Sequence, residues 1–478
     1  MASFFPANAI ETNLEHKPPE LIRVEMQMAK GLHLTHAATD LESGKANYCI
    51  WQVAAAVENS QQMETIQLEA PQAIVNTGIK RTLIEDLALK TLFQGGEMSL
   101  VELADRICLS LPVVEDVFHS FRRDQLCEVK GMTHGTHVIA PSAMGKERAA
   151  ELFGFSHYVG PAPVSLEDYS RRVRAQSVQR SPVQPADLKR AFDDLVLSDE
   201  VLTHLGTAIA SGTSIFLYGP PGVGKTTIAH KIPQIYNDFV SIPHALEVDG
   251  QIIAVYDPGV HERIDMTVPE DWDRRWILCQ RPRVIAGGEF SREMLDLQLN
   301  ANSRYFTAPL QLKANNGVLV LDDFGRQRMR PDELLNRWMT PLDRRMDFLT
   351  LLGGKKFEIP FDVLVVFSTN LDPHTLADEA FLRRIPNKVS LTYATPGQFA
   401  EIFRRECARR AFACEEGITE YLVDLIMVEM KQTLSPSHAR DLINQISWAA
   451  NYLGIKPEMS RSTLRQACHN YFLPVRHG

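Results

Sequence analysis

Three short runs of apolar residues stand out along the chain, at residues 214–218 (SIFLY), 317–321 (GVLVL) and 363–367 (VLVVF). Runs of this length, without alternation and ended by glycine or polar residues, are typical of strands buried on both faces of a parallel sheet. Residues 397–478 instead show helical spacing over most of their length. The pattern predicts an α/β protein, with helices on both faces of the sheet and a helical C-terminal domain.

Residues 78–155 predict three helices followed by a β-hairpin. Leucines at helical spacing continue up to Gly95, a capping box of Ser99 and Glu102 opens the second helix, and Pro112 opens the third. Two short strands follow, at 127–129 and 136–140. This order is typical of a winged helix-turn-helix domain.

A winged helix that reads DNA needs basic or amide side chains at the start of its third helix, where the base edges are met. This sequence has Val113, Val114, Glu115 and Asp116 there. Residues 78–155 also carry 9 Lys and Arg against 11 Asp and Glu, a net charge of −2. Docking to protein is therefore favoured over DNA binding, and both stay open.

Composition narrows the class of protein. With 45% hydrophobic and 23% charged residues the chain resembles an ordinary globular protein. Its net charge of −9 argues against general nucleic-acid affinity and leaves a local basic face open, and specific nucleic-acid binding is not expected. Seven cysteines without a CxxC pair favour reduced thiols over disulfides or zinc. The sequence contains no secretory signal and no run of 18 apolar residues, so we expect a cytoplasmic protein without membrane insertion.

The run at 214–218 leads into a glycine-rich loop that matches the phosphate-binding pattern GxxxxGK[ST] between a strand and a helix. Glycines let backbone N–H groups curl around phosphate oxygens, and the following helix adds a favourable dipole. We expect Lys225 to reach the β- and γ-phosphates of ATP and the Thr226 hydroxyl to coordinate Mg²⁺. The predicted nucleotide-binding residues of this loop are Gly219, Pro220, Pro221, Gly222, Val223, Gly224, Lys225, Thr226 and Thr227.

Polar residues also end the other two apolar runs. Asp322 and Asp323 follow the second run, and Thr369 and Asn370 stand just beyond the third. The carboxyl ends of parallel strands meet at the edge where α/β sheets bind ligands. We therefore expect Asp322 to hold Mg²⁺, Asp323 to polarise the attacking water, and Asn370, with Thr369 as second choice, to orient that water.

Arginines complete the predicted site. Arg383 and Arg384 follow the third strand at a helix end, where they suit an arginine finger for the γ-phosphate of a neighbouring subunit. Arg440, near the start of a C-terminal helix, is predicted to contact nucleotide, with a surface pairing to Asp441 as the alternative. The residues next in line for these roles are Glu289 as base, and Arg344 and Arg345 as arginine donors.

As a set, these motifs resemble the AAA+ ATPase superfamily over residues 190–478. The chain is also similar to a bacterial family of predicted ATPases with chaperone activity, associated with Flp-type pilus assembly. The resemblance implies ATP and Mg²⁺ as cofactors, a hexameric ring and a protein client; a glutamate usually stands at the place of Asp323, a departure that bears on the rate of hydrolysis. The residues that carry the narrower likeness are 157–169 (HYVGPAPVSLEDY), 308–327 (APLQLKANNGVLVLDDFGRQ), 334–351 (LLNRWMTPLDRRMDFLTL) and 378–385 (DEAFLRRI).

The predicted organisation has five parts: an N-terminal extension of unclear fold (1–77), a winged helix-turn-helix domain (78–155), a linker (156–190), an AAA+ ATPase core with the P-loop (191–396) and a helical lid (397–478). Prolines at both ends of the linker indicate a semi-rigid segment around a helix. Residues 281–316 are expected to form a helix or hairpin above the pore of a ring, either gripping a client or bracing two subunits.

Three functions are compatible with this sequence. The leading hypothesis is an ATP-driven, ring-shaped remodelling or assembly factor for proteins. The second is an ATP-dependent, DNA-associated regulator, which a basic winged helix would favour. The third is a nucleotide-switched scaffold with weak turnover, which an aspartate at position 323 would favour.

Overall fold

The computed structural model describes residues 68–376, 378–413 and 417–472. From Ala70 onward these residues belong to one compact unit. The extension predicted at 1–77 lies outside the described residues up to residue 67, as do the last six residues of the predicted lid.

The first part of this unit is a small bundle, residues 81–155, called the N-terminal bundle below. Its elements are α1 (Arg81–Gly95), β1 (Met98–Ser99), α2 (Leu100–Ile107), α3 (Leu111–Arg123), β2 (Cys127–Thr133), β3 (Thr136–Pro141) and α4 (Ala143–Phe155). The sheet of this bundle has the order β1-β3-β2, with both pairings antiparallel. Ser99 caps α2 by accepting the N–H of Glu102, and Ser142 caps α4 by accepting that of Gly145.

The middle of the chain carries the elements that lead to and surround the glycine-rich loop 219–226, which is predicted to bind phosphate and is called the phosphate loop below. In chain order they are β4 (Val164–Ser165), α5 (Leu166–Ala175), α6 (Pro185–Ala191), α7 (Asp199–Ala210), β5 (Ile215–Tyr218), α8 (Lys225–Lys231), β6 (Phe239–Pro243), β7 (Ala245–Val248), β8 (Gln251–Ala254), β9 (Trp276–Gln280), β10 (Arg283–Ala286), β11 (Gln298–Leu299), β12 (Phe306–Thr307) and α9 (Leu310–Lys313).

The remaining elements complete the central sheet and form a bundle of the last four helices, which occupies the segment predicted as the lid and is called the lid below. They are β13 (Gly317–Leu321), α10 (Pro331–Arg344), β14 (Met346–Thr350), β15 (Lys356–Pro360), β16 (Val363–Thr369), α11 (Pro373–Leu376), α12 (Glu379–Leu382), β17 (Asn387–Ser390), α13 (Pro396–Arg409), α14 (Ile418–Asp424), α15 (Pro436–Leu453) and α16 (Arg461–Tyr471). None of the described helices is long and apolar enough to cross a membrane.

The central sheet has five parallel strands in the order β10-β13-β16-β5-β17. The three strands predicted from apolar runs are its middle strands, and the loop after β5 carries the glycines. Alternate side chains of these strands enter two separate apolar clusters, as Val318 and Leu319 illustrate. Helices cover both faces, so the predicted α/β P-loop fold is confirmed.

Residues 281–316 contain a strand of the central sheet, a short helix and a hairpin. β10 is an edge strand of the central sheet, whereas β11 and β12 form a hairpin whose second strand pairs with β8. The turn of that hairpin contacts the end of the N-terminal bundle of the same chain. There Ser303 accepts the N–H of His157 at 2.9 Å, and the Tyr158 and Tyr305 rings meet edge to face at 5.3 Å.

The segment predicted as a linker, 156–190, is packed into the protein along much of its length. β4 pairs with β7, and Gln176 donates to the carbonyl oxygen of Ser241. Asp362 accepts hydrogen bonds from the Ser177 hydroxyl and the Val178 N–H. Since the segment buries polar groups in matched hydrogen bonds, it is fixed to the core.

The N-terminal bundle is also fastened to the core by buried cations. Arg275 is only 3% exposed; it pairs with Asp273 and donates to the carbonyl oxygens of Thr77 and Pro163. Within the bundle, Lys90 donates to two carbonyl oxygens just beyond α4. These contacts join the bundle, the segment after it and the strand β9 region.

Candidate nucleotide site

The phosphate loop, residues 219–226, connects β5 to α8. Gly222 and Gly224 have φ angles of +80° and +93°. This left-handed region favours glycine, because glycine has no Cβ atom. A Cβ atom on Gly224 would meet no other atom within 4 Å, so this part of the loop faces open space. The loop is thus a shallow backbone cradle of the kind that a phosphate group fits.

Lys225 is the charged residue of the loop. It is 8% exposed, and its Nζ atom donates to the carbonyl oxygens of Gly219 at 2.9 Å and Pro220 at 2.7 Å. Burial lowers the pKa of Lys225, while the negative charges of Asp322 and Asp323 act to raise it. The acceptors of this buried ammonium are neutral carbonyl oxygens. A bound anion would therefore be a stronger partner for it, because hydrogen bonds between charged groups are stronger than those to neutral ones.

The other residues of the loop differ in how exposed they are to solvent. Val223 is buried in the core beneath the sheet, which anchors the loop. Pro221, Thr226 and Thr227 are exposed, the two threonines in the first turn of α8. The Thr226 hydroxyl is therefore accessible for a metal ligand role.

Asp322 and Asp323 follow β13, two strands from β5. Asp322 is partly buried; its Oδ1 accepts the N–H of Asp323 at 3.0 Å, and its Oδ2 lies 3.9 Å from Nε2 of His230. His230 was not singled out from the sequence. The signal was its position four residues after Thr226 on α8, which places both on one helix face.

Asp323 itself is exposed, with a left-handed φ of +50°. At the end of β16, Thr369 is buried and Asn370 is partly exposed. The structure thus places both predicted strand ends at the carboxyl edge of the sheet, and Asn370 rather than Thr369 has an accessible side chain. The Gly287 N–H donates to the exposed Glu289 Oε1 at 2.9 Å, and this bond lowers the pKa of Glu289.

Arg383 and Arg384 differ in their contacts. Arg384 pairs through Nε with Asp343 at 2.9 Å and donates to the carbonyl oxygen of Ala380. Arg383 is exposed and has no side-chain partner among the described residues. Of the two residues next in line, Arg345 is tied to the carbonyls of Val363 and Gly212, while Arg344 is exposed.

The lid meets the loop at the start of α15. The Ser437 N–H donates to the Gly222 carbonyl at 3.2 Å, and the Ser435 and Ser437 hydroxyls lie 3.0 Å apart. A Cβ atom on Gly222 would lie 2.7 Å from Ser437 Oγ and closer still to Ser435 Oγ. Sequence reasoning missed both serines. Arg440, one turn further, is 59% exposed and pairs with Asp441, the contact named as its alternative role.

The structure is an α/β fold in which a glycine-rich loop, an acidic strand end and a polar strand end follow three neighbouring strands of one parallel sheet, and four C-terminal helices come after them. A domain family of unknown function (DUF8689) matches residues 395–470, which is the lid. No protein of curated function matches the sequence.

Similar solved structures include three forms of RuvB from Thermotoga maritima. A point mutant is 14% identical with a TM-score of 0.35, covering 61% of this chain and 72% of that one. A second mutant is 13% identical with a TM-score of 0.31, covering 62% and 72%. The structure described as the Holliday junction branch migration motor is 16% identical with a TM-score of 0.33, covering 57% and 69%.

Proposed function

We propose that the chain is a Mg²⁺-dependent ATPase of the AAA+ type. The observation that carries the proposal is Lys225, which is almost fully buried in the glycine loop yet acted on by the charges of Asp322 and Asp323. The cation for phosphate and the carboxylates for a metal therefore belong to one site. Buried lysine and paired acids at a strand end are the parts from which P-loop ATPases are built.

The roles follow from the exposure of each group. Backbone N–H groups of the loop and Lys225 hold the phosphates, while the Thr226 hydroxyl and the Asp322 carboxylate are hard oxygen ligands suited to Mg²⁺. Mg²⁺, when bound, neutralises charge on the phosphate oxygens. Asp323 accepts a proton from the attacking water, and Asn370 orients that water. These are the general-base and positioning roles that hydrolysis needs.

We further propose that the active form is a ring, with six subunits as in the superfamily it resembles. Arg383 supports this arrangement, because its exposed side chain has no partner among the described residues and is available to a neighbouring subunit. Arg384 is held by Asp343 and serves its own chain. Arg440 is the proposed cation of the lid, released from Asp441 when nucleotide is present.

The proposed client is a protein. Val113 and Val114 at the start of α3 are buried, and Asp116 pairs with Arg81 at 2.5 Å, so this turn offers no free donor to base edges. The net charge of −2 over residues 78–155 argues in the same direction. That this domain is a winged helix used for protein docking, and that the client belongs to pilus assembly, are proposals from the sequence resemblance.

The test is ATP turnover by the purified chain with and without Mg²⁺, followed by client capture. Mg²⁺-dependent turnover supports the proposal, and capture with a hydrolysis-slow Asp323→Asn protein identifies the client. Tight ATP binding without turnover would favour the nucleotide-switched scaffold. Absence of ATP binding would refute the assignment altogether.

A further inference from the structure

The turn after β13 holds the proposed base in an unusual conformation. Asp323 has a φ of +50° and Gly325 a φ of +100°, so two of three successive residues are left-handed. Asp and Asn tolerate this region better than most residues because a short polar side chain can bond locally. Here Asp322 Oδ1 accepts the Asp323 N–H.

This turn is clamped to the end of the neighbouring strand β16 from both sides of Phe324. The Phe324 N–H donates to the Ser368 carbonyl oxygen at 2.8 Å. The Thr369 hydroxyl donates to the Phe324 carbonyl oxygen at 2.7 Å and accepts the Leu371 N–H at 3.1 Å. Thr369 is 1% exposed, so water does not compete for these bonds.

The hydroxyl of threonine has one proton to donate. In Thr369 that proton is used on Phe324, and the same oxygen also fixes the backbone just beyond Asn370. Thr369 therefore does not itself orient a water molecule. It is the side chain that ties the segment bearing Asp323 to the segment bearing Asn370.

We propose that Thr369 is a positioning residue, which holds Asp323 and Asn370 at a fixed separation so that one water molecule can meet both. The inference rests on the proposed ATPase function and assigns a role that the two polar strand ends do not have separately. Small displacements of positioned groups can lower turnover by about 100-fold. Binding of nucleotide does not need the clamp, because the phosphate loop lies on the other side of β16.

The experiment uses the full chain with Thr369→Val, which has the same shape without the hydroxyl, and Thr369→Ser, which keeps it. The matched control is Thr91→Val, since Thr91 is equally buried and donates to the Leu87 carbonyl within α1. We expect Thr369→Val to lower kcat by 10- to 100-fold. KM, ATP affinity and the unfolding midpoint should stay close to those of Thr91→Val, and Thr369→Ser should recover most of kcat.

A second readout does not depend on turnover. Hydrogen exchange of the amides of residues 322–326 should become faster in Thr369→Val and stay unchanged in Thr91→Val and Thr369→Ser. Unchanged exchange, or a kcat equal to that of the parent, would overturn the proposal, as would equal slowing by Thr369→Ser. A parent that binds ATP without hydrolysing it would refute the proposed function alone, and the exchange result would still decide the clamp.

Discussion

Ser437 and Gly222 are joined by a backbone hydrogen bond of 3.2 Å, so the first turn of α15 rests on the phosphate loop. The N–H of Ser437 belongs to the first turn of a helix, where it has no partner within the helix. The hydrogen bond to Gly222 therefore gives this N–H a partner, and it also fixes the phosphate loop. The lid and the proposed phosphate site are therefore in direct contact.

Replacing Lys225 by Ala should abolish measurable ATP affinity while leaving the fold intact. The substitution removes the buried cation whose acceptors are neutral carbonyls, and no other described cation lies in the loop. Titration with a fluorescent ATP analogue measures the effect. Lys231→Ala is the control, because Lys231 lies on the same helix but bonds to Ala191 and Asp194. Equal affinity of Lys225→Ala and the parent would contradict the site assignment.

Asp323→Asn should keep Mg²⁺ and ATP bound, because Asp322 and Thr226 still serve the metal, and slow hydrolysis by about 10²- to 10⁴-fold. Asp323→Glu should also be slower than the parent, since a left-handed backbone favours the shorter acid. Steady-state phosphate release measures both. If Asp323→Asn turns over normally, another residue is the base, and Glu289→Gln is the next variant.

Arg383 and Arg384 should behave differently. Arg383→Ala should bind nucleotide normally and lose most turnover, because an arginine supplied by a neighbour can contribute about 10³ to 10⁵ in rate. Arg384→Ala should lower the unfolding midpoint, since it removes the pairing with Asp343.

Mixing Arg383→Ala with Lys225→Ala protein tests the shared site directly. Some interfaces then combine an intact loop with an intact arginine, so ATPase activity should reappear. Mixed rings that form and stay inactive would show that Arg383 does not act between subunits, and Arg344 would be tested next.

The intact protein should not bind duplex DNA at micromolar concentration in physiological salt. The start of α3 carries buried valines and a paired aspartate, and the segment around it is net acidic. Fluorescence anisotropy with labelled duplex, repeated over a range of salt, measures this. Micromolar binding with a steep salt slope that is lost in Arg122→Glu and Arg123→Glu would favour the regulator hypothesis.

Stability should depend on the protonation of Lys90, which is 4% exposed and whose pKa burial lowers to about 8. Above that pH the folded state has lost this proton, while the unfolded chain keeps it up to its ordinary pKa. The unfolded state then binds more protons, so stability rises with pH. Between pH 8 and pH 10 the parent should gain stability relative to Lys90→Met, as urea unfolding midpoints would show. Lys80→Met, at an exposed position, should show no such trend.

The sequence predicted the middle of the central sheet closely because three consecutive apolar runs needed no partner to be recognised. The glycine loop was recognised in the same way, from one short stretch of sequence. β10 and β17 were not predicted, since short edge strands are defined by their pairing with distant residues. The same holds for β4, which pairs with β7 far along the chain.

The sequence also could not show that Arg383 and Arg384 have different contacts. Arg383 and Arg384 look alike in one dimension, and only the approach of Asp343, 41 residues earlier, separates them. Thr369 and Asn370 are a similar case, because the hydroxyl partner at Phe324 comes from another strand end. Residue type and spacing predicted the chemistry, and tertiary contacts decided which neighbour carries it.

The contacts of Arg275 have a consequence for how the chain unfolds. Its guanidinium links the strand β9 region, the segment before α1 and the segment before β4, and it does so out of contact with water. Separating any one of these three segments from the other two would leave the hydrogen bonds of a buried guanidinium unmade, so we expect the three segments to unfold together.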